Sequence, residues 1–122
     1  KLGDWLFPNV HPFLFNIKEP QAAVKTVGRY YAIISRSAEG RPVLFKEVGF
    51  PTDGDPMANQ RNQVKFFQLM EKTDVKFSYF EAFDQYWKNS GNIEPHWGLF
   101  DKNRRPKKFI KAKTKIIRRK LQ

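Results

Sequence analysis

Three short apolar runs, each followed by a segment of helical period, constrain most strongly what this chain can fold into. The runs lie near residues 5–11, 42–47 and 77–83, and the helical segments lie near 20–37, 59–73 and 106–120. This alternation is typical of a parallel β-sheet whose strands are connected by helices. The sequence therefore predicts an α/β fold with about three βα units and parallel strands.

A sheet of three parallel strands is incomplete as a protein core, because both of its edges are open and both of its faces need cover. A complete (β/α)8 barrel, the TIM barrel, takes about 250 residues, and this chain has 122. The chain also begins at Lys1 and not at methionine. We therefore expect residues 1–122 to be part of a longer sequence and to form about the second half of such a barrel.

The chain is strongly basic, with 23 Lys and Arg against 12 Asp and Glu. Much of the excess lies in the last segment, in Lys107, Lys108, Lys111, Lys113, Lys115, Arg118, Arg119 and Lys120. Blocks of like charge are most often solvated surface, and we favour a solvated helix face here. Binding of this tail to an anionic surface is the alternative, whereas no specific nucleic acid partner is predicted.

Several kinds of chemistry are disfavoured by composition and spacing. The chain has no cysteine, and its two histidines, His11 and His96, lack a partner at the spacing of metal ligands. The glycines do not follow a phosphate-loop or dinucleotide pattern. We therefore predict no metal and no cofactor. No apolar run approaches the ~20 residues of a transmembrane helix, so no transmembrane segment is predicted.

Polar residues end all three predicted strands: His11 the first, Glu47 the second, and Glu81 with Asp84 the third. In parallel α/β folds the carboxyl ends of the strands carry the active site. Any one of these residues could simply mark a strand that reaches solvent. Their recurrence on three successive strands favours a site.

Carboxylates beside aromatic side chains are typical of glycoside hydrolysis. One carboxyl group protonates the leaving oxygen, and the other either attacks the anomeric carbon or activates a water molecule. The long loop after the third strand supplies such a set, namely Asp84, Tyr86, Trp87, Lys88, Glu94, His96 and Trp97. Aromatic rings pack against the apolar faces of sugars. Trp97 and Phe100 could equally fill the rim of the barrel.

Four segments together resemble glycoside hydrolase family 17, the β-1,3-glucanase-like enzymes, particularly the bacterial members. Residues 45–54, FKEVGFPTDG, are similar to the Glu-Thr-Gly-Trp-Pro-Ser block of that family. Residues 79–88, YFEAFDQYWK, and 93–101, IEPHWGLFD, resemble its last barrel strand and the following loop, and residues 9–13, NVHPF, resemble an earlier strand. These segments follow in the family's order over most of the chain, and they identify it with the C-terminal portion of the barrel.

The resemblance implies a retaining glycosidase or glucanosyltransferase that acts on β-glucans, linked β-1,3 or β-1,6. It places Glu47 at the catalytic nucleophile and puts the acid/base glutamate in an Asn-Glu motif outside this chain. It implies substrate contacts from His11, Phe13, Phe50, Glu81, Asp84, Gln85, Trp87, Lys88, Glu94, His96 and Trp97. The alternative function is a catalytically inactive, carbohydrate-binding barrel fragment.

Three departures from the family pattern accompany this resemblance. Phe50 stands in place of Trp, Val48 in place of a small Thr or Ser, and Gln85 in place of Glu. The lost carboxylate at Gln85 is expected to change the charge around Glu47. The family also implies a periplasmic, cell-envelope or secreted location. The expected partners are a β-glucan and either the remaining, upstream part of the barrel or a second copy of the chain.

Overall fold

The computed structural model describes residues 3–88 and 91–122, so Lys1, on which an expectation above rests, lies outside the described residues. Its strands and helices are β1 (Asn9–Val10), α1 (Pro20–Ser37), β2 (Phe45–Gly49), α2 (Gln60–Met70), β3 (Phe77–Phe80) and α3 (Lys108–Lys120). Short 3-10 helices cover Pro12–Phe15 and Glu94–His96. The strands pair in the order β1-β2-β3, and both pairings are parallel. The predicted α/β fold of three βα units is confirmed.

Side chains at the N-termini position the first two helices. The Glu19 carboxylate accepts a hydrogen bond of 2.9 Å from the amide of Ala22, and Pro20 occupies the first helical position. Asn59 caps α2 in the same way, through the amide of Asn62. Helix α1 has the predicted bounds, whereas α2 is shorter than the predicted 59–73, because the chain turns after Met70 and the Thr73 amide bonds to the Met70 carbonyl.

The first strand is much shorter than the predicted 5–11. Only Asn9–Val10 pairs regularly with β2, and an isolated bridge joins Leu6 to Val43 further back. Pro8 lies between these two stretches and has no amide hydrogen to donate to a ladder. Its carbonyl does accept from the amide of Lys46.

The second strand runs further than the predicted 42–47, so Glu47 lies inside β2 and not at its end. The strand continues to Gly49, where a side chain could not fit: a Cβ there would lie 2.4 Å from the Phe80 carbonyl oxygen. The third strand ends at Phe80, not at 83. Beyond Phe80 the backbone pairs with the following loop. The amide of Glu81 donates to the Trp97 carbonyl oxygen, and the amide of Leu99 donates to the Glu81 carbonyl oxygen.

The last helix begins at Lys108, two residues later than predicted. Pro106 does not open it, because Pro106 forms an antiparallel bridge with Phe100 and Lys107 is still extended. Phe109 is the one buried residue of α3, while Ile116 and Ile117 are about half exposed. The second half of α3 therefore projects beyond the core.

The core lies between the sheet and helices α1 and α2 and is largely aromatic. Its fully buried side chains include Val27, Phe45, Val48, Phe50, Phe66, Phe67, Met70 and Trp97. One polar side chain, Gln63, is buried among them, and its amide donates to the Phe50 and Gly98 carbonyl oxygens. Among residues 3–88 and 91–122, no helix is long and apolar enough to cross a membrane.

Candidate active site

A small pocket lies where the carboxyl ends of the three strands meet. It has a volume of about 200 Å³ and is lined by His11, Leu14, Glu47, Phe80, Glu94 and Trp97. His11 directly follows β1, Glu47 lies in β2, and Phe80 ends β3. Strand register accounts for this convergence, because Asn9 is paired with Glu47 and Gly49 with Phe80.

His11 and Glu47 are in contact within this pocket. Nε2 of His11 lies 3.3 Å from Oε2 of Glu47, and the two side chains are 14% and 35% exposed. The imidazole ring also packs edge-on against Phe80 and Trp97, with centroid distances of 5.0 Å and 5.3 Å. His11 is thus fixed by two aromatic rings while its nitrogen faces the carboxylate.

The surroundings of Glu47 suit a carboxylate that reacts. One of its oxygens is oriented by His11, and the side chain still reaches the pocket. The aromatic walls from Phe80 and Trp97 offer surface for the apolar face of a sugar ring. A carboxylate placed in this way can attack an electrophilic carbon and form a covalent intermediate.

A second polar cluster adjoins the pocket behind Phe80. The Glu81 carboxylate accepts hydrogen bonds from the side-chain amide of Gln85 and from Nζ of Lys88, the latter at 3.2 Å. Nζ of Lys88 also lies 5.2 Å from the centroid of the Phe80 ring. Burial raises the pKa of the Glu81 carboxyl group above its usual value, although the Lys88 ammonium group acts in the opposite direction.

Two predicted substrate residues belong to a different pocket. Asp84 and His96 line a cavity of about 400 Å³ that also includes Tyr86 and Arg105. Asp84 is already engaged, since one of its oxygens accepts from Nζ of Lys107 at 2.7 Å and from the Gly98 amide at 2.9 Å. Its carboxylate holds the loop together and does not face Glu47.

Three of the aromatic residues predicted to contact substrate lie outside the lining of the Glu47 pocket. Phe50 is buried and packs edge-on against Phe13 with a centroid distance of 5.2 Å, so its side chain lies in the core and not on the pocket wall. Phe13 is also buried, although it borders a neighbouring groove. Trp87 is 63% exposed and packs against Tyr86, outside the lining of the Glu47 pocket.

Gln85 contacts Glu81 and not Glu47, although its departure from the family pattern was expected to affect Glu47. Leu14 and Phe80 also line the pocket, although neither was among the predicted site residues. Phe80 could have been found from its position directly before Glu81 in the third apolar run. Nothing in the sequence marks Leu14, which the 3-10 helix after His11 carries to the pocket. No group of three or more potential ligands among residues 3–88 and 91–122 could hold a metal ion.

Parallel strands joined by helices, with a carboxylate and aromatic side chains at their carboxyl ends, define part of a (β/α)8 barrel of the glycosidase type. The resemblance to glycoside hydrolase family 17 that the sequence indicated is confirmed by the known proteins that this chain is similar to. A glucan 1,3-beta-glucosidase of Arthroderma benhamiae is 33% identical over 112 positions, which cover 77% of this chain and 36% of that protein. The chain thus spans about a third of the length of this curated relative.

Solved structures show the same likeness. The glycoside hydrolase family 17 beta-1,3-glucanosyltransferase from Rhizomucor miehei superposes with a TM-score of 0.75 at 25% identity, over 87% of this chain and 42% of that one. An active-site mutant of the Rhizomucor enzyme, in complex with laminaritriose, gives a TM-score of 0.71 at 23% identity, with the same coverage. No protein-family model matches the chain.

Proposed function

We propose that this chain forms the nucleophile-bearing part of a retaining glycosidase or glucanosyltransferase that acts on β-glucans. The observation that carries the proposal is the Glu47 carboxylate, held by His11 in a pocket with aromatic walls. The relatives add support, because one is named a glucan 1,3-beta-glucosidase and another a beta-1,3-glucanosyltransferase. The linkage in this proposal is β-1,3 or β-1,6.

In the proposed reaction an oxygen of Glu47 attacks the anomeric carbon while the glycosidic bond breaks. A glutamic acid outside this chain protonates the leaving oxygen, and a covalent glucosyl ester forms on Glu47. The acid/base glutamate, now ionised, then takes a proton from water or from a sugar hydroxyl, whose oxygen attacks the anomeric carbon. The bond from that carbon to the Glu47 oxygen breaks, and Glu47 is released as a carboxylate. His11, in contact with Glu47, keeps the carboxylate in place for both steps.

The proposal includes the rest of the barrel as a partner, since three strands leave both sheet edges open. The proposal also places the protein outside the cytoplasm, where it would have access to β-glucans. General acid assistance contributes about 10² to 10⁴ in rate, so the chain without the acid/base glutamate should turn over very slowly.

The test is hydrolysis of laminari-oligosaccharides by this chain, alone and mixed with the upstream part of the barrel. We expect activity in the mixture and its loss in Glu47→Gln. Glu39→Gln, an exposed glutamate beyond the end of α1, is the matched control and should stay active. Equal activity of the Glu47→Gln mixture would overturn the role of Glu47.

The second candidate is an inactive carbohydrate-binding barrel fragment. It is favoured by the aromatic pocket that the chain carries without the acid/base motif expected of the family. Laminaritriose binding without hydrolysis, in the chain and in the mixture alike, would support this candidate against the enzyme.

A further inference from the structure

Lys107 is buried, although it stands in the most basic stretch of the chain. The residue is 6% exposed and occupies the N-cap position of α3, where its side chain makes no capping hydrogen bond. Its Nζ donates to Oγ1 of Thr52 at 2.6 Å and to Oδ1 of Asp84 at 2.7 Å. An ammonium group is kept in such an environment only when it is paired and hydrogen-bonded. This lysine is therefore not part of the solvated face predicted from the sequence.

Both acceptors of Lys107 in turn bind the backbone on either side of Trp97. Thr52 donates to the His96 carbonyl oxygen twice, through its hydroxyl at 3.0 Å and its amide at 2.9 Å. Asp84 accepts from the Gly98 amide at 2.9 Å. A single ammonium group thus connects the two anchors that fix the peptide groups before and after this tryptophan.

The anchored backbone is also closely packed, so it has little room to relax. A Cβ at Gly98 would lie 2.3 Å from the amide nitrogen of Asp84 and 2.4 Å from the Phe100 carbonyl oxygen. Only a glycine allows this approach. The position of the Trp97 backbone therefore depends on the spacing that Asp84 and Lys107 set, together with the Glu81 amide, which donates to the Trp97 carbonyl oxygen.

Trp97 transmits this placement to the Glu47 pocket. Its side chain is 1% exposed, lines the pocket and packs edge-on against Phe80 and His11. His11 is the residue that contacts Glu47. A displaced Trp97 ring would alter the pocket wall and remove one of the two rings that hold the imidazole.

We propose that Lys107 is a positioning residue of the glucan-binding pocket, acting through Thr52 and Asp84 on Trp97. Its consequence for sugar binding rests on the function proposed above, whereas its effect on the Trp97 ring does not. Lys107 itself touches no substrate in this proposal. Its contribution is to keep the aromatic wall at the distance from His11 and Glu47 that a sugar ring requires.

The experiment uses Trp97 as its own reporter. Trp5, which is about half exposed, and Trp87, which is 63% exposed, are replaced by Phe so that Trp97 supplies the tryptophan emission. Lys107→Met is then compared with Lys113→Met. This control substitution lies in α3, breaks the ion pair of Lys113 with Glu71 at the end of α2, and leaves the Trp97 anchors intact. Emission is recorded well below the unfolding transition, so that folded protein is compared with folded protein.

We expect Lys107→Met to shift the emission of folded protein to longer wavelength and to weaken laminaritriose binding by about tenfold, because the displaced Trp97 ring packs less well against the sugar. Lys113→Met should change neither. If Lys107→Met does not fold, Thr52→Val removes one arm of the network at nearly constant volume and should give the same shift.

The two proposals fail in different ways. Unchanged emission and unchanged laminaritriose affinity in both Lys107→Met and Thr52→Val, with only a lower unfolding temperature, would make Lys107 merely structural and overturn its positioning role. A shifted emission in a protein that binds no laminaritriose in any variant would support the placement of Trp97 by Lys107 and count against the proposed function.

Discussion

Nε2 of His11 donates a hydrogen bond towards Glu47, from a residue 36 positions earlier in the chain. The direction follows from the other ring nitrogen. Nδ1 is buried and has no hydrogen-bond partner among residues 3–88 and 91–122, so a proton there would be left without an acceptor at a considerable cost. The neutral ring therefore carries its hydrogen on Nε2, where the Glu47 carboxylate accepts it.

Replacing His11 by Phe should keep the aromatic packing against Phe80 and Trp97 and remove the hydrogen bond to Glu47. A hydrogen bond to a charged group is worth about 1.5–3 kcal/mol, so we expect turnover of laminari-oligosaccharides by the reconstituted barrel to fall about 10- to 100-fold. His96→Phe is the control, because His96 lines the other pocket. Equal losses in the two variants would show that the contact with Glu47 is not the cause.

Phe67 should be among the residues on which stability depends most. It is fully buried and packs against Phe66, Tyr79 and Phe109, with centroid distances of 5.2, 4.9 and 5.2 Å. We expect Phe67→Ala to lower the free energy of unfolding by about 3–5 kcal/mol, measured by denaturant titration. Phe15→Ala, at a position that is 75% exposed, should change it by less than about 0.5 kcal/mol.

The order and type of the elements could be predicted because hydrophobic periodicity records them directly. Strand ends could not, since they depend on partners: Pro8 interrupts the first strand, and residues after Phe80 pair with the loop at Trp97. The contact of His11 with Glu47 follows from the parallel register, which pairs Glu47 with Asn9, two residues before His11. The burial of Lys107 was not predictable, because a lysine in a basic run gives no sign that Thr52 and Asp84 surround it.

Glu81 should make stability depend on pH in the direction opposite to most carboxylates. Burial raises its pKa in the folded protein, so between the usual value and the raised one the folded state binds more protons than the unfolded state. Its contribution is therefore most favourable below the usual value of 4.5 and is lost as the pH rises through the raised pKa. Wild type should lose stability relative to Glu81→Gln over this window in denaturant titrations at several pH values. A stability difference between wild type and Glu81→Gln that does not change with pH, or that changes in the opposite direction, would contradict the raised pKa of Glu81.

Asp101 should show the ordinary acid behaviour. The amide of Arg105, aided by the Arg105 guanidinium group and the amide of Asn103, holds the pKa of the Asp101 carboxyl below its usual 3.8. Its contribution is therefore fully present above that value and is lost as the pH falls through the lowered pKa. Asp101→Asn should be less stable than wild type near neutral pH and should approach it in acid. Asp53→Asn, at an exposed residue directly before Gly54, serves as the comparison for stability at each pH.

Gln85→Glu restores the carboxylate that the family pattern has, but places it against Glu81, to which the Gln85 amide now donates. Two adjacent carboxylates disfavour each other's ionised form, so the pKa of Glu81 should rise further. We expect a loss of stability at neutral pH that is recovered on mild acidification, when the pair shares a proton. Gln68→Glu, on the exposed side of α2, should show no such pH dependence. A Gln85→Glu protein as stable as wild type at neutral pH would mean that Lys88, 3.2 Å from Glu81, compensates both charges.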